Sequence, residues 1–169
     1  MPTAASLSML ANRTSHLNGR SVGLLLADGA DPDLLQALRR ALDKAGARLV
    51  LVAPRCTGAP LADGKMQAVD AALDGAPSCL YDHVAVLGSD AGASALSTNP
   101  AALTWLRDAW RHLKVMALDD AGMALADAAG IDHDDAVVRL DAKKSVDHFV
   151  RMATQGKHFA REGTPGTDA

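Results

Sequence analysis

Aromatic residues and cysteine are scarce in this chain, and both shortages restrict what it can be. Phe, Trp and Tyr together make up 3% of the 169 residues, while 49% are hydrophobic, so small aliphatic side chains must build the core. The two cysteines, Cys56 and Cys79, are too few for a disulfide framework or a cysteine-based zinc site. A reducing cytoplasm is the simplest compartment for such a chain.

An excess of positive charge and a long apolar run are also missing. The formal net charge is −3 with a pI near 6.0, which argues against a nucleic-acid partner. No run approaches the roughly 20 apolar residues that span a bilayer. Residues 1–20 lack the basic and then apolar pattern of a secretory signal. We therefore expect a soluble, cytoplasmic protein.

What the chain does contain is an alternation of buried strands and amphipathic helices. Strands enriched in Val, Leu and Ala are predicted at 21–27, 48–53, 83–88, 114–118 and 136–140. Helices are predicted from Pro32 to Gly46, from Pro100 to Leu113, from Asp119 or Asp120 to Gly130, and over 141–156.

This alternation predicts one α/β domain with a mostly parallel sheet and helices on both faces, a three-layer flavodoxin-like sandwich. The domain is expected over 21–160, after a linker at 1–20 and before a flexible tail at 161–169. Residues 54–79 are irregular, with room for short strands or a hairpin.

Ligand sites in such folds lie beyond the carboxyl ends of the strands, which here means three loops. In the first, Asp28, Asp31 and Asp33 could hold a hard cation or share a proton, although a turn and a helix cap are favoured. The second, residues 88–94, could bind an anion at a helix start, although a glycine-rich turn is favoured. The third, residues 118–122, lies where hydrolases of this architecture place a nucleophile, but it offers aspartates that are better interpreted as caps.

Isolated reactive residues elsewhere give weaker signals. Cys56 is open to activation, but a buried small side chain is the favoured interpretation, as it is for Cys79. His133 lies among aspartates in a segment that we interpret as a solvated turn. Trp110 is expected in the core, whereas Trp105 is expected to be partly exposed at a contact surface. His112, His148 and His158 are predicted on separate helices or their ends, so no catalytic triad can be assembled from them.

Several segments together resemble one family. They are residues 6–12, 17–29, 75–78, 81–87 and 110–114, and the similarity extends over about residues 6–160. These segments resemble the C-terminal domain of large-subunit (hydroperoxidase II-type) haem catalases. That domain is similar in turn to the PfpI-type proteases and the class I glutamine amidotransferase-like superfamily.

The resemblance implies that the catalytic positions of the active superfamily members are lost here. Matching residues 120–122 to the Cys-Ala-Gly of active members places Asp120, next to Asp119, at the nucleophile position. The catalytic acid falls on Leu34, with Asp33 one place away. We therefore expect no catalytic residues, no metal site and no cofactor-binding residues in this chain.

The function implied by the resemblance is that of a non-catalytic accessory domain. It would support the stability or assembly of a catalase in defence against hydrogen peroxide, with chaperone-like activity towards unfolded clients. Haem would belong to the catalase core, because Tyr81, the only tyrosine, lies outside any haem-ligand motif. The expected partners are that core or a second copy of this chain, through Trp105 or the apolar residues 7–10. The alternatives are a stand-alone PfpI-like hydrolase or deglycase that uses Asp119, Asp120 or Cys56, and a small-ligand-binding module.

Overall fold

A six-stranded parallel sheet forms the centre of the computed structural model, which describes residues 16–163. Its strand order is β5-β2-β1-β6-β7-β8, and β3 and β4 form a separate antiparallel hairpin. The strands are β1 Ser21–Leu26, β2 Arg48–Ala53, β3 Ala59–Pro60, β4 Met66–Gln67, β5 Ala71–Ala72, β6 His83–Leu87, β7 Met116–Leu118 and β8 Val137–Arg139. The helices are α1 Pro32–Ala45, α2 Asp90–Ser97, α3 Pro100–Arg111, α4 Asp120–Ala128 and α5 Lys143–Thr154.

Alternate residues of the central strand face opposite layers of helices. Leu24 belongs to a core with Leu38 of α1 and Phe149 of α5. Leu25, the next residue, belongs to a second core with Leu106 of α3 and Leu125 of α4. Side chains alternate across a strand, so both faces must be apolar, and this explains the nearly continuous apolar run of β1. The predicted three-layer α/β architecture is confirmed.

Helix α1 begins and ends where its sequence predicts. The Asp31 side chain accepts a hydrogen bond from the backbone N–H of Asp33 at 2.8 Å, and Pro32 occupies the first turn. Gly46 ends the helix in the left-handed region, with φ of 82°. Within residues 16–163, every helix is too short or too polar to cross a bilayer.

Strand β7 is shorter than expected because Lys114 does not extend it. The Lys114 backbone N–H bonds the carbonyl of Ala109 and so prolongs the end of α3, and Leu113 adopts a left-handed φ of 60°. The Lys114 side chain is buried and donates to the backbone carbonyls of Ser78 and Tyr81. Lys114 therefore belongs to the connection between α3 and β7, and the hydrogen-bonded ladder of β7 begins only at Met116.

The prediction for Trp105 is wrong, and Trp110 packs against the core but is less buried than expected. Trp105 is 3% exposed, and its indole N–H donates to the carbonyl of Ala76 at 2.9 Å. Trp110 is only half-buried. The face of α3 that packs on the sheet is centred on Trp105 and Leu106 rather than on Trp110. An indole can be buried when its N–H finds an acceptor, which the sequence does not reveal.

Packing continues slightly beyond the expected domain boundaries. Leu17, expected in the linker, is fully buried, and its N–H bonds the carbonyl of Ala45. Arg161, expected in the flexible tail, is 8% exposed and paired with Asp134. The apolar stretch at residues 7–10 lies outside the described residues.

Candidate functional site

Backbone hydrogen bonds join the three loops at the carboxyl end of the sheet. The N–H of Ser89 bonds the carbonyl of Asp28 at 3.1 Å, and the Ser89 hydroxyl donates to the same carbonyl at 2.7 Å. The N–H of Asp119 bonds the carbonyl of Val86 at 3.2 Å. The loops after β1, β6 and β7 therefore form one connected surface.

Asp119 is the cap of α4 and also a bridge to the neighbouring loop. Its carboxylate accepts from the N–H of Gly122 at 2.8 Å and from the N–H of Gly88 at 2.7 Å. The residue is 8% exposed. Burial raises the pKa of Asp119, and the bonds from Gly88 and Gly122 oppose that shift. The capping interpretation of this loop is confirmed, and it falls on Asp119 rather than Asp120.

The backbone at this turn is unstrained. Asp119 has φ of −74° and ψ of −174°, and Asp120 opens α4 as a regular helical residue. Among residues 16–163, Leu113 is the only residue other than glycine with a positive φ. A nucleophile elbow holds its side chain on a sharp, strained turn. The turn after β7 does not have that geometry.

The residues matched to the nucleophile and the acid make different kinds of contact. Asp120 is exposed, and its carboxylate bonds the Arg139 Nε and Nη2 atoms at 2.8 and 2.6 Å. Leu34 is half-buried and packs against the core beneath α1 and α5. Asp33, beside it, is exposed. Leu34, at the position matched to the acid, thus contributes to apolar packing. Asp120, at the position matched to the nucleophile, forms a surface ion pair.

Close packing of small residues fills the space between the loops. A Cβ at Gly88 would lie 2.5 Å from the Ala27 Cβ, and one at Gly92 would lie 2.4 Å from the Asp28 carbonyl oxygen. One at Gly29 would lie 2.6 Å from the Ser89 hydroxyl oxygen. The glycines at positions 88 and 92 are therefore explained by close contact with the first loop, and α2 already begins at Asp90.

The acidic first loop does not assemble its carboxylates into one site. Asp28 pairs with Arg55 at 3.6 Å, whereas Asp31 caps α1. His133 pairs with Asp127 at 2.9 Å. Across residues 16–163, no three His, Cys, Asp or Glu side chains are grouped so that they could hold a metal ion.

The predicted burial of the two cysteines is wrong. Both Cys56 and Cys79 are exposed. Cys79 lies in a 3-10 turn, Ser78–Leu80, in which Ser78 is the residue that points inward. A turn with one inward residue has no periodicity from which burial can be predicted.

Tyr81 packs against the central strand and against Trp105. Its ring lies against Gly23, where an added Cβ would be 2.3 Å from the ring, and 6.4 Å from the Trp105 ring between centroids. Burial raises the pKa of Tyr81, and the Asp70 charge raises it further.

A cluster around Arg161 is missed by the sequence analysis. The Arg161 guanidinium bonds both Asp134 carboxylate oxygens, at 2.6 and 2.9 Å, donates to the Lys114 carbonyl at 2.7 Å and lies 3.8 Å from the centre of the Trp110 ring. Burial opposes ionisation of Asp134, but the Arg161 hydrogen bonds and charge outweigh it and lower the Asp134 pKa. Asp134 and Arg161 are 27 positions apart in separate turns, and no local pattern joins them.

Similarity to known proteins decides the family. The family model described as the C-terminal domain found in long catalases matches residues 18–162. The chain belongs to this family of catalase C-terminal domains. The match extends over almost all of the described residues, in agreement with the resemblance seen in the sequence.

The curated relatives of this catalase C-terminal domain are much longer proteins. Catalase C of Rhizobium meliloti is 33% identical over 159 residues, which are 93% of this chain and 23% of that protein. Catalase HPII of Pseudomonas putida is 31% identical over 146 residues, which are 86% of this chain and 20% of that protein. The chain therefore spans about a fifth of the length of these catalases.

Solved structures of low sequence identity share the fold. DJ-1beta of Drosophila melanogaster superposes with a TM-score of 0.70 at 15% identity, covering 85% of this chain and 94% of that chain. Oxidized DJ-1 of Toxoplasma gondii gives a TM-score of 0.66 at 16% identity, covering 85% and 98%. The catalase C-terminal domain thus has the architecture of the DJ-1 and PfpI-type proteins.

Proposed function

We propose that this chain is a non-catalytic accessory domain that stabilises a large-subunit catalase or its assembly. The observation that carries the proposal is at the turn after β7, where Asp120, at the matched nucleophile position, forms an ion pair with Arg139 and the adjacent Asp119 is engaged by the Gly88 and Gly122 amides. The family match supplies the catalase context.

Neither matched catalytic position supports acyl transfer. Acyl transfer at neutral pH favours a thiolate or an activated hydroxyl, whereas Asp120 is a carboxylate paired with Arg139. We expect Asp120→Asn to leave any hydrolase or deglycase turnover unchanged. We also expect Cys56 to react with a thiol-labelling reagent no faster than a free thiol does. A turnover that depends on either residue would favour the enzyme alternative.

Haem chemistry, in this proposal, belongs to the catalase core and not to this chain. The buried Tyr81 supports this assignment because its raised pKa disfavours a tyrosinate. The chain is proposed to bind no cofactor of its own and to act in the cytoplasm. A titration with haem, flavin and nucleotides that produces neither a new absorption band nor a thermal shift is the expected result.

The direct test measures a catalase core with and without this chain. A core from the same cell is heated, and its remaining peroxide decomposition and subunit assembly are followed by oxygen release and light scattering. We expect a higher inactivation temperature with the chain present, whether joined or added, and unchanged turnover at 25 °C. The matched control is the same mass of an unrelated protein. Equal inactivation in both samples would remove the accessory role.

The chaperone-like part of the proposal has its own test. Aggregation of a heated client enzyme is followed by light scattering with a several-fold excess of this chain. Suppression beyond that given by the unrelated protein is expected. Its absence would remove the chaperone part and leave the assembly part standing, because the two measurements use different partners.

A further inference from the structure

A groove lies between helices α1 and α5, on the face of the sheet opposite α3 and α4. Its volume is about 320 Å³. Its floor is formed by Ala37, Ala41 and Val146, of which Val146 is fully buried. Small side chains at these positions leave space above the core that one aliphatic side chain can fill.

The rim of the groove is positively charged. Arg40 and Lys44 lie one helical turn apart on α1, and Lys143 is the first residue of α5. All three are exposed, and none forms an ion pair with a residue in the part of the chain that the structure describes. Asp147 is the only acidic residue of the lining.

The positive charge of the groove rim is opposite in sign to the net charge of the chain. The chain has 17 basic and 20 acidic residues, so a lining with three cations and one anion runs against the overall charge. The first turn of α5 adds the positive end of its helix dipole. Such a rim attracts carboxylates, and the apolar floor selects for a ligand that also carries an aliphatic group.

We propose that this groove binds an acidic segment of a partner polypeptide, with an aliphatic side chain on the floor and carboxylates against Arg40, Lys44 and Lys143. The groove is partly open to solvent and its charged residues lie on exposed helix surfaces, whereas small-molecule sites enclose most of their ligand. An extended segment can place one side chain inside and its neighbours on the rim.

The test uses a fluorescein-labelled short peptide in which aspartate alternates with leucine, and a second peptide with asparagine in place of aspartate. Binding to the full chain is measured by fluorescence anisotropy at low and at high salt. The acidic peptide is expected to bind, with weaker binding at high salt, and the neutral peptide is expected to bind at least about tenfold more weakly.

Three variants locate the binding. Replacing the rim cations together, R40Q, K44Q and K143Q, is expected to weaken acidic-peptide binding about tenfold or more. The matched control removes three positive charges elsewhere, K65Q, R111Q and K157Q, and is expected to retain binding. Ala41→Leu fills the floor without a change in charge and is expected to weaken binding. Circular dichroism and thermal melting confirm that each variant is folded.

Several results would overturn the proposal. Equal losses in the rim and control variants would mean that only general charge attraction acts. Unchanged binding by Ala41→Leu would exclude the groove floor, and sedimentation with phosphatidylserine vesicles without peptide binding would indicate a membrane surface instead. No experiment here uses a catalase core, so failure of this proposal and failure of the accessory role are distinguishable.

Discussion

The Asp119 carboxylate lies 2.7 Å from the backbone nitrogen of Gly88, and this contact joins the loops that follow two neighbouring strands. The same carboxylate receives the Gly122 N–H at the start of α4. One side chain thereby satisfies two backbone donors in a largely buried position, and it holds the loop after β6 against the loop after β7. Removing this contact tests how the two loops are held together at the strand ends.

Substitution of Asp119 is expected to cost stability. Asp119→Ala leaves the buried N–H of Gly122 and the partly buried N–H of Gly88 without an acceptor, so the free energy of unfolding should fall by about 3 kcal/mol. Asp120→Ala is the matched control, because it removes only an exposed ion pair with Arg139 and should cost less than about 1 kcal/mol. Urea unfolding measures both, and equal losses would show that Asp119 is not a bridge.

The two arginine–aspartate pairs should differ in strength although their shortest distances are both 2.6 Å. Arg161→Ala removes a largely buried guanidinium, so that Asp134 keeps only the Ala136 N–H and the more distant His158 and the Lys114 carbonyl loses this donor, with an expected loss of about 3 kcal/mol. Arg139→Ala should cost less than about 1 kcal/mol, because its pair with Asp120 is exposed. Chemical denaturation that ranks the two variants in the reverse order would contradict this assignment.

His83 should make the fold sensitive to mild acid. Burial lowers the pKa of His83 to about 4, the Arg20 and Lys114 charges add to this shift, and the Asp82 charge opposes it. The unfolded chain binds the proton near pH 6.5 while the folded chain does not, so stability is lost as the pH falls from about 6.5 to about 4, by up to about 3 kcal/mol. Protonation also removes the acceptor of the Val115 N–H at Nδ1.

The measurement is urea unfolding at pH 7 and at pH 4.5, for the natural chain and for His83→Gln. The variant has no titrating ring, so its stability should change less over this interval. The contribution of Asp134 belongs to a lower interval, because its pKa is depressed and its stabilisation is lost only below the ordinary aspartate range. The same pH dependence in both proteins would assign the effect to other groups.

Gly92 should be intolerant of alanine even though it lies in a helix. Alanine normally favours a helix over glycine by about 1 kcal/mol. Here the added Cβ would lie 2.4 Å from the Asp28 carbonyl oxygen, which is backbone and cannot move away freely, so Gly92→Ala should lower the melting temperature. Gly75→Ala is the control, since no atom lies within 4 Å of its added Cβ, and it should be neutral. Equal melting temperatures for the two variants would contradict the predicted clash.

The parallel sheet was accessible from sequence because its signals are local. The apolar run of β1 and the Asp31, Pro32 and Gly46 signals of α1 each act within a few residues, and the structure places them as predicted. Helix α2 was not predicted, since its eight residues, which begin at Asp90, carry only a weak apolar stripe. The register of α3 on the sheet was missed because burial of Trp105 depends on a distant acceptor, the Ala76 carbonyl.

The strand-end site was predictable from sequence only where its signals are local. That an aspartate caps α4 is a local property, and the sequence indicates it. The bond from Asp119 to Gly88 spans 31 positions and arises only when β6 and β7 lie side by side. The Arg161 cluster likewise depends on three turns that meet at one point, and no spacing rule connects them.

The double engagement of Asp119 also limits how this turn could present a thiol. A cysteine in place of Asp120 would lie on a regular helical turn beside the exposed Arg139. A cysteine in place of Asp119 would leave the N–H groups of Gly88 and Gly122 without their acceptor. No single substitution supplies both a reactive group and the strained backbone that presents it. Presenting a thiol as a nucleophile here would therefore require the whole strand-to-helix connection to change, and not one side chain alone.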